Sequence, residues 1–187
     1  VIGGGNIWRG RFSESMNPVN ADQMGMLATV INALCVEDAL LRRGCMARVF
    51  TAQQMDRFAK LYTAREADEC LNAGGVALLA GGSGNPFFTT DTAASLRAAE
   101  LKADAVFKGT TVDGVYDCDP RTNPDARLIR DITYQRAIEL GLKVMDTAAF
   151  LLCKENRVPV IRVFSMERLE NVLKVADGDD MGTIVHG

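Results

Sequence analysis

Apolar residues at helical spacing mark the first long element of the chain. They recur at the three- and four-residue intervals of one helix face: Leu27, Val30, Ile31, Leu34 and Leu41. Asn20 with Gln23 three residues later forms a capping-box pattern that predicts the helix start, and Gly44 predicts its end. The pattern therefore predicts one long helix with an apolar face, followed by a short strand at residues 47–51.

Helix and strand patterns alternate along the rest of the chain. Thr63 with Glu66 predicts a second helix start, and the uninterrupted apolar run 76–80 is typical of a strand covered on both faces. The remaining predicted elements are a helix from Thr90-Asp91, a strand at 105–108, helices at 134–140 and 147–154, and a strand at 159–164. This alternation predicts an α/β fold, a three-layer α/β/α sandwich with a mainly parallel central sheet.

The chain begins inside a predicted element. Val1 and Ile2 have the character of the end of a buried strand that runs into Gly3, and no initiator methionine precedes them. A length of 187 residues suits one large domain. We therefore expect a single domain over residues 1–187 that lacks its N-terminal strand and loop.

Composition and charge exclude several classes of function. A formal net charge of -3, from 21 basic and 24 acidic residues, argues against a nucleic-acid partner. No uninterrupted apolar run approaches a membrane span and no signal-peptide pattern opens the chain, so we expect a cytoplasmic protein without a membrane partner. The five cysteines are scattered without a Cys-x-x-Cys pair, which argues against a disulfide framework and a zinc site, and no metal-ligating residue is predicted. The one histidine, His186, lies near the chain end, which disfavours a histidine base.

Three loops of unusual composition follow predicted strands, where ligands collect in parallel sheets. In the first, residues 3–10, three glycines let backbone N–H groups approach an anion, and Arg9 adds a charge-assisted contact. Taken alone, this loop is better explained as a tight structural turn. It matches neither Gly-x-Gly-x-x-Gly nor Gly-x4-Gly-Lys-Ser/Thr, which disfavours a dinucleotide-binding fold and a Walker-type enzyme.

The other two loops carry more polar side chains. Residues 81–91 combine glycines, hydroxyls, two phenylalanines and a helix start, which suit a nucleotide and its phosphate. The structural alternative is that Thr90 or Asp91 only caps the helix. Residues 108–120 are dense in carboxylates and hydroxyls, and suit a clamp on the base and sugar of a phosphoryl donor. The alternative there is a solvated hairpin turning at Asp113-Gly114.

Six sequence blocks together resemble the bacterial uridylate (UMP) kinases of the amino acid kinase superfamily. They are Gly-Gly-Gly-Asn-x-x-Arg-Gly from Gly3, Asp-x-Met-Gly-Met-Leu from Asp22, Gly-Asn-Pro-Phe-Phe-Thr-Thr-Asp from Gly84, Val-Asp-Gly-Val-Tyr from Val112, and the stretches 142–149 and 159–164. The resemblance implies the amino acid kinase fold and transfer of the ATP γ-phosphoryl group to UMP, giving UDP in de novo pyrimidine nucleotide (CTP) biosynthesis. It also implies Mg²⁺, a cytoplasmic homohexamer and allosteric regulation by GTP and UTP.

The resemblance assigns roles to individual positions. The residues implied to bind UMP are Gly4, Asp22, Ser83, Gly84, Asn85, Pro86, Phe87, Phe88, Thr89 and Thr90. Those implied to bind ATP are Gly5, Arg9, Thr110, Tyr116 and Asp119. Arg9 is expected to stabilise charge during transfer, and Asp91 and Asp146 are hypothesised to organise cations near the transferring group. A lysine-bearing loop that the family has upstream finds no match in this chain.

Two alternatives stay open at the level of sequence. One is another kinase of the superfamily that acts on a carboxylate such as aspartate or acetylglutamate, which the Phe87-Phe88-Thr89-Thr90 stretch opposes. The other is a non-catalytic binding protein similar to the molybdenum storage proteins. An upstream lysine would favour the enzyme over the storage protein.

Overall fold

The computed structural model describes residues 1–9, 15–118, 120 and 122–187. It has the α/β architecture that the sequence predicts, with helices and strands in alternation. In chain order the elements are α1 (Pro18–Leu41), β1 (Ala47–Thr51), β2 (Lys60–Leu61), α2 (Ala64–Asn72), β3 (Val76–Ala80), α3 (Thr90–Glu100), β4 (Val106–Thr110), β5 (Val115–Tyr116), β6 (Leu128–Ile129), β7 (Asp131–Thr133), α4 (Tyr134–Glu139), α5 (Thr147–Glu155), β8 (Val160–Ser165), α6 (Glu170–Ala176) and β9 (Thr183–His186).

The chain forms two compact units, Val1–Ala94 and Ser95–Gly187. The division falls within the residues of α3. Each unit has a sheet of its own.

The sheet of the first unit is entirely parallel, in the order β2-β1-β3. The register between β1 and β3 runs from Ala47↔Val76 to Thr51↔Ala80. Both strands therefore end at the same edge, and the loops after Thr51 and Ala80 leave the sheet side by side. Ile2 N–H donates to Leu79 O at 2.9 Å, which places it beside β3. Residues 1–4 form no strand and Val1 is exposed, so the predicted buried strand end is represented only by this one backbone hydrogen bond.

The sheet of the second unit is mixed, in the order β4-β8-β9-β7. The pairs β4–β8 and β7–β9 are parallel, whereas β8–β9 is antiparallel. A separate antiparallel ribbon joins β5 and β6. The expected mainly parallel pairing is confirmed, and β9, which is antiparallel to β8, is an element that the sequence patterns did not predict.

Helix α1 begins at Pro18, and its N-cap lies three residues before the predicted cap Asn20. Asn17 is the N-cap, and its side chain accepts the N–H of Val19 at 2.9 Å. Pro18 occupies the first turn, where its fixed φ suits the helix and its missing N–H costs nothing. The capping-box prediction at Asn20 was therefore wrong, while the stop at Gly44 (φ 76) and the Thr63 cap of α2 are confirmed.

The buried face of α1 is made mostly of small residues, and Val30 is the one predicted apolar position among them. Its buried positions are Ala21, Ala28, Thr29, Val30 and Ala33. Leu27 and Ile31 instead expose 52% and 58% of their surface. Small side chains are required because a loop and a sheet approach this face closely, which leaves the large apolar residues outside.

Among the described residues, α1 is also the one helix whose length and composition would suffice to cross a membrane. The expectation from sequence counted uninterrupted apolar runs, and α1 contains carboxylates such as Asp22 and Glu37. A core helix of a soluble protein meets the same criterion, so α1 is weak evidence for a membrane.

Lys102, just after α3, adopts a left-handed backbone conformation with φ 51°. Comparable positions after other helices carry glycine: Gly44, Gly74, Gly141 and Gly178. We expect Lys102→Gly to raise the free energy of unfolding by about 0.5–1 kcal/mol, because a left-handed side chain costs more than the added flexibility of glycine. Urea denaturation measures this, and Lys102→Ala, which keeps the Cβ, is the control. Equal stability of the two variants would contradict the explanation.

Candidate functional site

The glycine loop, residues 3–9, folds back on the first half of α1. The carbonyl oxygen of Gly4 accepts the N–H groups of Ile7 and Trp8, both at 3.0 Å. The indole Nε1 of Trp8 donates to Ala21 O at 2.8 Å. The turn is therefore held both by its own backbone and by the helix.

Gly4 is buried against α1, and no larger residue fits there. A Cβ on Gly4 would lie 2.8 Å from Gly25 O, 2.9 Å from Ala28 Cβ and 2.9 Å from Thr29 N. Backbone atoms cannot move aside cheaply, so helix packing alone requires glycine at this position.

Asn32 of α1 is a support for the glycine loop that sequence analysis missed. Its Nδ2 donates to Gly3 O at 2.7 Å and to Asn6 Oδ1 at 2.7 Å. The available signal was an amide in the middle of a predicted apolar helix. Its partners lie 29 and 26 residues away in sequence, so spacing could not identify them.

Arg9 closes the described part of this loop. Its Nε donates to Gly5 O at 2.7 Å, and its side chain is exposed. The predicted pair Gly5 and Arg9 is thus in direct contact, with the guanidinium charge held against the glycine loop.

The second loop, residues 81–89, follows β3 and has an unusual backbone. Gly81, Gly82 and Gly84 have φ values of 78°, 59° and 84°. Phe87 also has a left-handed φ of 69°, which is uncommon for a bulky side chain. Phe87 is 74% exposed and Phe88 is 54% exposed. Two apolar rings presented to solvent from a constrained loop suit contact with a ligand.

Two residues of α1 bind the second loop. The hydroxyl of Thr29 accepts the N–H of Gly81 at 2.7 Å. The carboxylate of Asp22 accepts the N–H of Phe87 at 2.7 Å. Because the glycine loop rests on the same half of α1, the structure brings the predicted residues Gly4, Asp22 and the 83–90 stretch together within the first unit.

Thr89 caps α3, rather than Thr90 or Asp91 as the structural alternative expected. Its Oγ1 accepts the N–H of Asp91 at 3.1 Å and of Thr92 at 3.4 Å. Inside the loop, Ser83 Oγ accepts the N–H of Asn85 at 3.2 Å. Asp91 is half-buried in the first turn of α3, where the helix dipole favours negative charge.

The third loop belongs to the second unit and is a structured ribbon. Thr110 ends β4, where its carbonyl accepts Met166 N–H at 2.7 Å, and Tyr116 lies in β5 opposite Leu128. The backbone N–H of Arg127, with the thiol of Cys118, donates to the carboxylate of Asp117 and lowers its pKa. The hairpin alternative is right about an antiparallel ribbon but wrong about its turn, since the paired strand β5 begins only after Asp113-Gly114. Asp119 lies outside the described residues.

Asp146, also in the second unit, is the N-cap of α5. Its Oδ1 accepts the N–H of Ala149 at 2.7 Å. This contact accounts for an acidic residue at this position, and its suggested role in organising cations stays a prediction.

Comparison with sequence families identifies relatives across the whole chain. The model of the Amino acid kinase family matches residues 1–164. A uridylate kinase of Bacteroides thetaiotaomicron is 48% identical over 188 aligned positions, covering 100% of this chain and 79% of its own length. A uridylate kinase of Parabacteroides distasonis is 50% identical with the same coverage.

Solved structures with the same fold are also kinases by name. The UMP kinase of Bacillus anthracis superposes with a TM-score of 0.94 at 33% identity, covering 100% of this chain and 78% of that one. The UMP kinase of Ureaplasma parvum gives a TM-score of 0.92 at 36% identity, and the match covers 99% of this chain and 80% of that one.

Proposed function

The chain belongs to the amino acid kinase family, and within it to the uridylate kinases, and from that premise we propose that it transfers the γ-phosphoryl group of ATP to UMP. The product is UDP, which enters de novo pyrimidine nucleotide (CTP) biosynthesis. The observation that carries this proposal is the 48–50% identity to uridylate kinases along the entire chain.

UMP is assigned to residues of the first unit. They are Gly4, Asp22, Ser83, Gly84, Asn85, Pro86, Phe87, Phe88, Thr89 and Thr90. Three features support the assignment: the contacts of both loops with α1, the exposed rings of Phe87 and Phe88, and the N-terminus of α3, whose dipole attracts a phosphate. The carboxylate of Asp22 would also accept hydrogen bonds from ribose hydroxyls.

ATP is assigned to a second set of residues. They are Gly5, Arg9, Thr110, Tyr116 and Asp119. The contact of Arg9 with Gly5 supports an anion site formed by these two residues. It holds the positive charge of the guanidinium beside a glycine, where no side chain blocks the approach of a phosphate.

The chemistry requires positioning more than acid–base catalysis. The attacking group is a phosphate oxygen of UMP, which is already anionic at neutral pH, so a general base would add little. Phosphoryl transfer instead needs in-line alignment and neutralisation of the charge on the transferring group. Arg9, loop N–H groups and the dipole of α3 supply these from this chain.

Mg²⁺ is part of the proposal, as the cation that accompanies the phosphates of ATP in kinases. Across the described stretches, no three His, Cys, Asp or Glu side chains cluster as a metal cage. Mg²⁺ in kinases is held largely by substrate phosphates with one or two carboxylates, and Asp91 and Asp146 are the candidates. When bound, the ion neutralises phosphate charge.

Assembly and regulation form a further part of the proposal. We propose a cytoplasmic homohexamer in which the exposed apolar face of α1, including Leu27 and Ile31, is covered by another subunit. GTP and UTP are the proposed effectors. The support is family membership together with that exposed apolar face.

ADP release by the full-length protein tests the acceptor. UMP, CMP, AMP, aspartate and acetylglutamate are offered in parallel with ATP and Mg²⁺. We expect release with UMP at a rate at least about tenfold above the others, because the polar contacts of a nucleotide site discriminate strongly. Activity with a carboxylate instead would identify another kinase of the family, and inactivity with tight retention of an oxyanion would favour a storage protein.

A further inference from the structure

The second loop also contacts a residue outside α1, and no role has been assigned to that residue so far. Gln53, in the segment after β1, donates from Nε2 to Gly84 O at 2.6 Å. Gly84 also packs closely on this segment, since a Cβ there would lie 3.2 Å from Ala52 Cβ and 3.3 Å from Ala52 O. The two loops at the edge where β1 and β3 end are therefore in direct contact.

The backbone that carries Gln53 is itself held in place. The buried hydroxyl of Thr51 donates to Gln53 O at 2.7 Å. Ala52 N–H donates to Ala80 O at 3.1 Å, which extends the parallel pairing of β1 and β3 by one step. The side chain of Gln53 thus projects from a fixed support, as a positioning residue must.

The second loop is tied to its surroundings at three evenly spaced points. Thr29 holds Gly81, Gln53 holds Gly84 and Asp22 holds Phe87. All three loop residues have a left-handed φ, and glycine populates many other conformations when it is not restrained. Gln53 bonds the middle of these points, Gly84, which directly precedes Asn85. Loss of this hydrogen bond would therefore loosen the stretch assigned to UMP.

We propose that Gln53 is a positioning residue for the acceptor nucleotide: its amide fixes the Gly84 carbonyl and thereby holds residues 84–88 in the conformation that binds UMP. The inference rests on the proposed function. Gln53 touches the loop rather than the reacting atoms, so its effect falls on UMP binding and not on the donor.

The test compares Gln53→Met with Gln54→Met in the full-length protein. Methionine keeps the length of glutamine and removes the donor. Gln54 is the matched control, because it is exposed and its Nε2 bonds Asp56 Oδ2 at 2.9 Å within its own segment. For Gln53→Met we expect the Kd and KM for UMP to rise about 5- to 10-fold, the loss of one hydrogen bond, while the KM for ATP stays within about twofold. Gln54→Met should match the parent.

Hydrogen exchange provides a readout that does not depend on turnover. The backbone N–H groups of Gly84, Asn85, Phe87 and Phe88 should exchange faster in Gln53→Met than in Gln54→Met. Melting temperatures should stay within about 2 °C of the parent, because surface substitutions rarely change stability much. If the parent is active and Gln53→Met binds UMP as tightly as the parent does, the positioning role of Gln53 is overturned while the proposed function stands. Equal weakening of UMP and ATP, or an equal effect in Gln54→Met, would also overturn it. A parent that neither binds nor phosphorylates UMP would overturn the proposed function as well.

Discussion

Asp91→Asn lowers the turnover number for UMP phosphorylation by about 10²- to 10³-fold, the usual cost of removing a group that acts on developing charge. Asp91 is half-buried in the first turn of α3, directly after the stretch assigned to UMP. Asparagine keeps its shape and removes the charge that would organise a cation. The cap of α3 is Thr89, so the helix start survives the substitution.

A purely structural Asp91 predicts a different result. A first-turn carboxylate stabilises a helix by about 0.3–1 kcal/mol, and its loss would lower stability without a large change in turnover. Asp104→Asn is the matched control, because Asp104 is an exposed carboxylate that follows the same helix. Steady-state kinetics at saturating UMP and ATP, with thermal melting in parallel, measures both effects. A turnover for Asp91→Asn within about twofold of the parent would contradict the catalytic role.

Gly182→Ala is expected to cost about 3 kcal/mol or more of unfolding free energy, the largest stability effect that we predict. Gly182 is buried before β9 with φ 81°, so any side chain is strained. A Cβ there would overlap the carbonyl oxygen of Val163 and lie 3.0 Å from its carbonyl carbon. Val163 pairs with Thr183 where β8 meets β9, so relief would require the two strands to separate.

Gly178→Ala separates the clash from the backbone strain. Gly178 has φ 96°, but a Cβ there would meet nothing within 4 Å. Its substitution should therefore cost only the left-handed penalty of about 1–2 kcal/mol. Urea denaturation of both variants gives the comparison. Equal losses of unfolding free energy in the two variants would show that β9 shifts to make room for the added methyl group, which would contradict the prediction.

Local signals in the sequence predicted most elements of the fold. The Thr63 cap, the apolar run of β3 and the helix α5 all follow from short patterns, and the structure agrees with them closely. The start of α1 was missed because Pro18 and Asn17 provide a better beginning than the capping box at Asn20. The short strands β2, β5, β6 and β7 were missed as well, since two or three residues carry no recognisable periodicity.

The candidate site was predicted unevenly. Gly4, Asp22 and the 83–90 stretch came from sequence blocks, and the structure brings them together on α1. Thr29, Asn32 and Gln53, which hold the loops, were not recognised. Their partners are 52, 29 and 31 residues distant in the chain, so no local pattern connects them.

The sequence by itself determined the α/β class, the candidate site loops and the family, because periodicity, caps and motif blocks are properties of neighbouring residues. Only the tertiary structure decided which face of α1 is buried. The periodic residues predicted an apolar face without showing what covers it. In the structure Val30 is buried in the core while Leu27 and Ile31 are exposed, because the close approach of Gly4 to Ala28 selects small residues for the buried side. A helix can pack either its largest or its smallest side chains, and the space left by its neighbours makes the choice.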